Sequence, residues 1–188
     1  MSSLASRMSG SPRTRHGTVV IGLGNPLLAD DGLRLEVVGR LARGYDCGPD
    51  VELEDGGTWG MNLLPILEQA ERVIFIDAIR TGAAPGTVQR LDGDAIPRQL
   101  GLKLSPHQVD LQDLVAVATL RGTFPEVAVA IGVEPEVVET RAGLSSTVAG
   151  RLDDVLDDVV HQLRGWGHDV VVRPYFPPGS PFPSGGRT

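Results

Sequence analysis

The sequence predicts an α/β fold of three layers: a mostly parallel, twisted sheet with helices on both faces and one antiparallel edge strand. Three observations predict it. Short β-branched runs alternate with stretches of helical periodicity from residue 18 to residue 165. The first run, "TVVIGL", leaves through the glycine turn "GLGNPLLADDG" (22 to 32) straight into the helical pattern "LRLEVVGRLA". The connector "AIRTGAAPG" between "RVIFID" and "TVQRL" is too short for a helical crossover, so "TVQRL" reads as the antiparallel edge.

Taken in order, "TVVIGL" (18 to 23) is a strand, followed by a helix over 31 to 43. "VELE" (51 to 54) is the next strand, then a helix over 60 to 70, and then the strand "RVIFID" (72 to 77). "TVQRL" (87 to 91) comes next, a helix is expected over 108 to 120, "EVAVAIGV" (126 to 133) is the last strand, and a long helix covers 145 to 165. In that helix Val148, Leu152, Val155, Leu156, Val159 and Leu163 recur at steps of three and four, so one stripe faces the sheet. Asp153, Asp154, Asp157 and Asp158 form its solvated face. No internal repeat is visible. The ends differ in composition: residues 1 to 17 hold five serines and no acid, and residues 173 to 188 hold five prolines and three glycines. Both read as disordered, leaving one domain over 18 to 172.

With 24 acidic residues against 17 basic ones and a net charge of -7, the chain is not built for duplex nucleic acid, whose phosphates call for a basic face. No apolar stretch approaches the roughly 18 residues of a membrane span, and the leader lacks the apolar core of a signal peptide. The single cysteine, Cys47, forms no internal disulfide, which suits a reducing compartment. A cytoplasmic protein is expected.

In an open α/β sheet ligands lie beyond the carboxyl ends of the strands, where loops converge with helix N-termini. Asp30 and Asp31 follow the first strand, Asp55 follows the second, Asp77 closes the third, and His107 in "SPHQ" opens a helix before the last strand. Asp31, Asp77 and His107 together suit a borderline divalent metal such as nickel or zinc, in a shell left incomplete. Each has a structural alternative. Asp30 is a natural N-cap, Asp31 favours a helix N-terminus without any metal, and His107 could cap or pack. Gly24 could merely permit a turn, and Asn25 could fold its amide onto its own loop. For Asp77 the alternative is weaker, since a carboxylate closing "VIFI" must find partners or water as it leaves the core.

Other chemistries fit less well. A dinucleotide fingerprint needs a third glycine where this chain has Leu27, and two acids at the helix entrance repel a pyrophosphate. There is no G-x-S-x-G elbow, Cys47 precedes the second strand, and no H-E-x-x-H surrounds His16, His107, His161 or His168. His161 and His168 read as exposed bystanders. "GLGNP" after a first strand also occurs in peptidyl-tRNA hydrolases, but the downstream residues of that family do not follow Pro26. What remains is metal-assisted hydrolysis or binding without chemistry.

The turn "GLGNPLLADDG", the loop "DGGTWGMNLLPILEQA", the strand "RVIFIDAI", the segment "SPHQVDLQDLVA" and "GVEPEVVETRAGLSSTVAGRLDDVL" resemble, in order and spacing, the nickel-iron hydrogenase maturation endopeptidases. The likeness runs from about residue 18 to residue 165. It implies a protease that removes a short carboxyl-terminal extension from the hydrogenase large subunit precursor once nickel has been inserted; a monomer is expected. By motif position its catalytic and metal-contacting residues are Asp31, Asp77 and His107. The nickel is carried by the precursor and held weakly by the free enzyme, whose three moderate ligands include no thiolate. Gly24, Asn25, Asp30, Asp55, Gly56, Gly57 and Thr58 would line the substrate cleft, with "DGGTWG" as its flexible wall, or as a plain turn capping the next helix through Thr58. Trp59 and Met61 would meet the precursor's tail or pack beneath the loop, with packing the favoured reading. One departure stands out: two residues after Gly32, where the family usually has a second glycine, stands Arg34, which bears on which precursor is accepted. The rival readings are a nickel-sensing partner that docks on the precursor without cutting it, and a nucleotide-binding α/β module.

Overall fold

The computed structural model describes residues 17–57, 60–93, 95–96 and 111–174. The leader except Gly17, and the tail beyond Pro174, lie outside the described residues, as do Thr58, Trp59 and His107.

β1 (Thr18–Leu23) is buried from end to end, the mark of a central strand covered on both faces. A 3-10 turn, Ala29–Gly32, leads into α1 (Leu33–Gly44), and β2 (Tyr45–Asp46) and β3 (Val51–Gly57) follow. A second 3-10 turn, Gly60–Leu63, runs into α2 (Leu64–Gln69), with Pro65 in its first turn, where the missing N–H costs nothing. Then come β4 (Arg72–Ala78), β5 (Val88–Asp92), α3 (Leu111–Leu120) and β6 (Val127–Val133). α4 (Ser146–Ala149), α5 (Leu152–Gly165) and β7 (Val171–Val172) complete the chain. The sheet order is β3-β1-β4-β6-β5, parallel except for β5, which pairs antiparallel with β6 at the edge as its short connector requires.

Because strand side chains alternate between faces, each strand feeds two cores. Val20, Ile74, Ile76 and Ile131 pack under α1 and α5, while Ile21, Val73, Phe75 and Ala130 pack under α2 and α3. The expected stripe of α5 is buried and its four aspartates are exposed. Two of them pair with arginines, Asp153 with Arg40 and Asp154 with Arg151. Exposed pairs of this kind add at most about 1 kcal/mol. The helix expected over 145 to 165 is in fact two. Ser145 caps α4 by accepting from Val148 N–H (3.2 Å), and the chain turns at Gly150 and Arg151 before α5 begins.

Gly132 sits where β6 presses against β4: a Cβ there would lie 1.9 Å from the Asp77 carbonyl oxygen. Gly132→Ala is expected to cost about 1–3 kcal/mol as overpacking. The cost would show as a lowered urea midpoint, and the strain would fall on the backbone that presents Asp77.

β2 and β7 pair at the end of the sheet where β1 begins. There Arg173 N–H donates to Gly44 O (2.7 Å) and Thr18 N–H to Asp50 O (2.8 Å). His168 is not the exposed bystander expected. It is half-buried and shares a hydrogen bond with the Thr18 hydroxyl (2.8 Å). Cys47 is buried in the α1/α5 core. No helix among the described residues is long and apolar enough to cross a membrane.

Candidate active site

From β1 the chain turns back through α1 to β3 on one side, and from β4 it moves to the other side, toward β5 and β6. The crevice beyond the carboxyl ends of β1 and β4 is therefore the switch point of the sheet, where a ligand is expected. Asp31 and Asp77 both arrive there, from the loop after β1 and from the last turn of β4.

The loop is shaped around Asp31. Gly24 has φ +116°, and a Cβ on it would lie 2.2 Å from the Asp31 carbonyl oxygen, so only glycine lets the chain pass. The next N–H, of Asn25, donates to Asp31 Oδ2 (2.6 Å), while Asn25 Oδ1 accepts from Leu27 N–H (3.0 Å) and closes a local turn. The Asp77 carboxylate accepts from Ala78 N–H (2.8 Å).

The two carboxylates share one electrostatic environment. Burial raises the pKa of Asp31, against the Asn25 hydrogen bond and the charges of Arg80 and Arg34. Burial pushes Asp77 further, to about 8, and the charge of Asp31 adds to the rise. The Ala78 hydrogen bond, Arg34 and Arg80 only partly counter it. At neutral pH Asp77 therefore holds its proton beside a carboxylate. Asp31 and Asp77 are the two described side chains that could serve as oxygen donors to a cation here. Among the described residues no group of three or more His, Cys, Asp or Glu side chains is gathered as a metal shell, and the third expected ligand, His107, lies outside those residues.

Asp30 does not reach the cleft. It is fully buried, and its oxygens accept from the N–H groups of Glu136 (2.9 Å), Val137 (2.8 Å) and Ser145 (2.6 Å) and from the Ser145 hydroxyl (3.0 Å). It caps no helix either, since neither the 3-10 turn nor α1 has a side-chain cap. Its role is to clamp the β1 loop to the segment after β6. Ala29, between the clamp and the turn, has φ +49° and donates to Arg141 O (2.9 Å), a left-handed alanine held by its surroundings.

Asp55 lies level with Gly22 at the end of β3, and there the register slips: Gly22 pairs with Asp55 but Leu23 with Gly57. Gly56 is the extra, bulged residue, and bulges recur beside active sites because they re-aim neighbouring side chains. Asp55 is exposed and ion-paired to Arg34, a buried side chain whose Nε also donates to Gly24 O (2.8 Å). Met61 is 37% exposed. Thr58 and Trp59 lie outside the described residues.

Two site residues were not singled out from the sequence. Arg80 acts on both aspartates through its charge. Glu134 holds the segment that carries Arg80, accepting from the N–H groups of Thr81 (2.8 Å), Gly82 (3.3 Å) and Ala83 (3.2 Å) and from Gln89 Nε2 (2.9 Å). Burial raises its pKa, but these hydrogen bonds outweigh that and hold it below the usual range. The rule that picked acids after β1, β3 and β4 would have found Glu134 had it been applied to β6.

The profile of a family described as hydrogenase maturation protease (HycI) matches residues 35–162, a span that starts past Asp31 and includes Asp77 and His107. The hydrogenase expression/formation protein HupD of Rhodobacter capsulatus is 40% identical over 155 residues, covering 81% of this chain and 74% of that protein. The hydrogenase 2 maturation protease of Escherichia coli is 35% identical over 156 residues, 82% of this chain and 95% of that one. Among solved structures, the hydrogenase maturating endopeptidase HybD from E. coli superposes with a TM-score of 0.79 at 35% identity, covering 84% of this chain and 98% of its own. By profile, by sequence and by fold, then, this chain belongs to the hydrogenase maturation protease family.

Proposed function

We propose that this protease removes the carboxyl-terminal extension of a nickel-iron hydrogenase large subunit precursor, and that it recognises nickel already seated in that precursor through Asp31, Asp77 and His107. The observation that carries the reading is the meeting of Asp31 and Asp77, 46 positions apart in the chain, at the switch point of the sheet. Membership in a family of hydrogenase maturation proteases supports the substrate class.

Asp77, protonated in the free enzyme, gives up its proton when a cation arrives beside it. Asp31, pinned by Asn25 N–H, stays in place as the second oxygen donor. With both carboxylates engaged by the precursor's nickel, the enzyme reads metal loading before it cuts. Held by Asp31 and Asp77, nickel would supply a Lewis acid that polarises a carbonyl or acidifies a water.

The test incubates nickel-loaded and nickel-free precursor with wild type and with Asp31→Ala, Asp77→Ala and His107→Ala, and follows the mass of the large subunit. Cleavage of the loaded precursor alone, and its loss in the variants, is the expected result. Undiminished cleavage by all three variants ends the proposal. An extension still removed in a deletion strain would leave the protein with no proteolytic role.

A further inference from the structure

Arginine is almost never fully buried unless paired, yet Arg34 is only 5% exposed at the mouth of the site. Its position is built in. Nε is tied to Gly24 O (2.8 Å), one residue before the N–H that holds Asp31, and its terminal nitrogen is ion-paired to Asp55 at the end of β3. Its stem lies along β1, where a Cβ on Gly22 would come within 2.9 Å of Arg34 Cβ. The guanidinium thus spans the ends of β1 and β3, and it acts on both Asp31 and Asp77 through its charge. Arg80 adds a second cation. Two guanidinium groups, those of Arg34 and Arg80, therefore stand beside the carboxyl groups of Asp31, Asp77 and Asp55.

These fixed cations decide what kind of ion can enter. A hydrated divalent ion brings its full charge into a low-dielectric mouth held by two fixed cations, where repulsion is weakly screened. A metal already bound by anionic thiolates brings little or no net positive charge and meets guanidinium groups that favour it. We propose that Arg34 is an internal counter-cation that makes the Asp31 and Asp77 pair refuse free divalent ions and accept a metal whose charge is neutralised by its own anionic ligands. The inference rests on the proposed recognition of precursor-borne nickel and deepens it: the enzyme discriminates delivered metal from free metal by net charge.

The experiment is calorimetric titration of nickel chloride into the full chain at pH 7.5, using wild type, Arg34→Gln, Arg34→Lys and the double variant Arg34→Gln with Asp77→Ala. Arg34→Gln is expected to bind nickel at least tenfold more tightly than wild type. Arg34→Lys, which keeps the charge, should stay within threefold of wild type, and the double variant should lose the gain. Binding by Arg34→Gln no tighter than wild type, or a gain that survives removal of Asp77, overturns the proposal. Wild type also provides a measurement that needs no variant to fold: nickel held by a short peptide with two cysteine thiolates should bind at least tenfold more tightly than nickel chloride. Equal or weaker binding overturns the proposal as well. Failure of the underlying reading shows separately, as equal cleavage of nickel-loaded and nickel-free precursor by wild type, whatever the nickel affinities.

Discussion

Asp77→Asn is expected to cut precursor processing by about a thousandfold and yet to raise the melting temperature, by about 3 °C or more at pH 8 and by little at pH 4. The sign follows from the proton. Asp77 titrates near 8 in the fold, against the ordinary carboxylate value in the unfolded chain. Between those values the folded state holds a proton that the unfolded state has released, so stability is fullest below about pH 4 and drains away as pH rises to about 8. Asparagine keeps the shape and has no charge to bury, which removes the loss. Scanning calorimetry across that window, beside a processing assay, checks both halves. An asparagine variant less stable than wild type at pH 8 would mean that the carboxylate is not buried at a cost. A conflict of this kind, stability given up where chemistry is needed, is what a site residue should show and a packing residue should not.

Asp30→Ala is expected to have the largest effect on stability, a loss of about 3–5 kcal/mol, because it strands donors that face a buried charge. The N–H groups of Glu136, Val137 and Ser145 and the Ser145 hydroxyl would all lose their acceptor. Asp30→Asn should recover part of the loss, since one oxygen remains. Urea titration measures the difference. Processing should fall too, although Asp30 touches no substrate, because the clamp sets the backbone next to Asp31. Substituting Asp153, equally acidic but exposed, should change the urea midpoint by less than about 1 kcal/mol in stability.

Strands and layers were legible because burial on both faces demands runs such as "TVVIGL" and "RVIFID", and the connector before "VQRLD" is too short to cross the sheet. Boundaries were less so. β3 continues to Gly57, three residues past its expected end, because the bulge at Gly56 lets pairing resume. The last helix breaks at Gly150 and Arg151, which its apolar spacing does not reveal. In the site, the rule of acids after parallel strands brought Asp31 and Asp77 to one crevice. The same rule could not separate Asp30 from Asp31. Adjacent in "ADDG", they look alike as helix-start acids, and what distinguishes them is 106 to 115 positions away, in the donors that claim Asp30. Arg34 showed in the sequence only as a departure from the glycine the family usually has there. Its burial between Gly24 O and Asp55 depends on how β1 and β3 align.

The pairing of β2 with β7 lies at the foot of the sheet, where β1 begins, remote from Asp31 and Asp77. A bead tether coupled there, through a cysteine put in place of the exposed Val172, would therefore leave the reactive mouth facing outward. A partner as bulky as a folded hydrogenase subunit could then dock on immobilised enzyme without meeting the support.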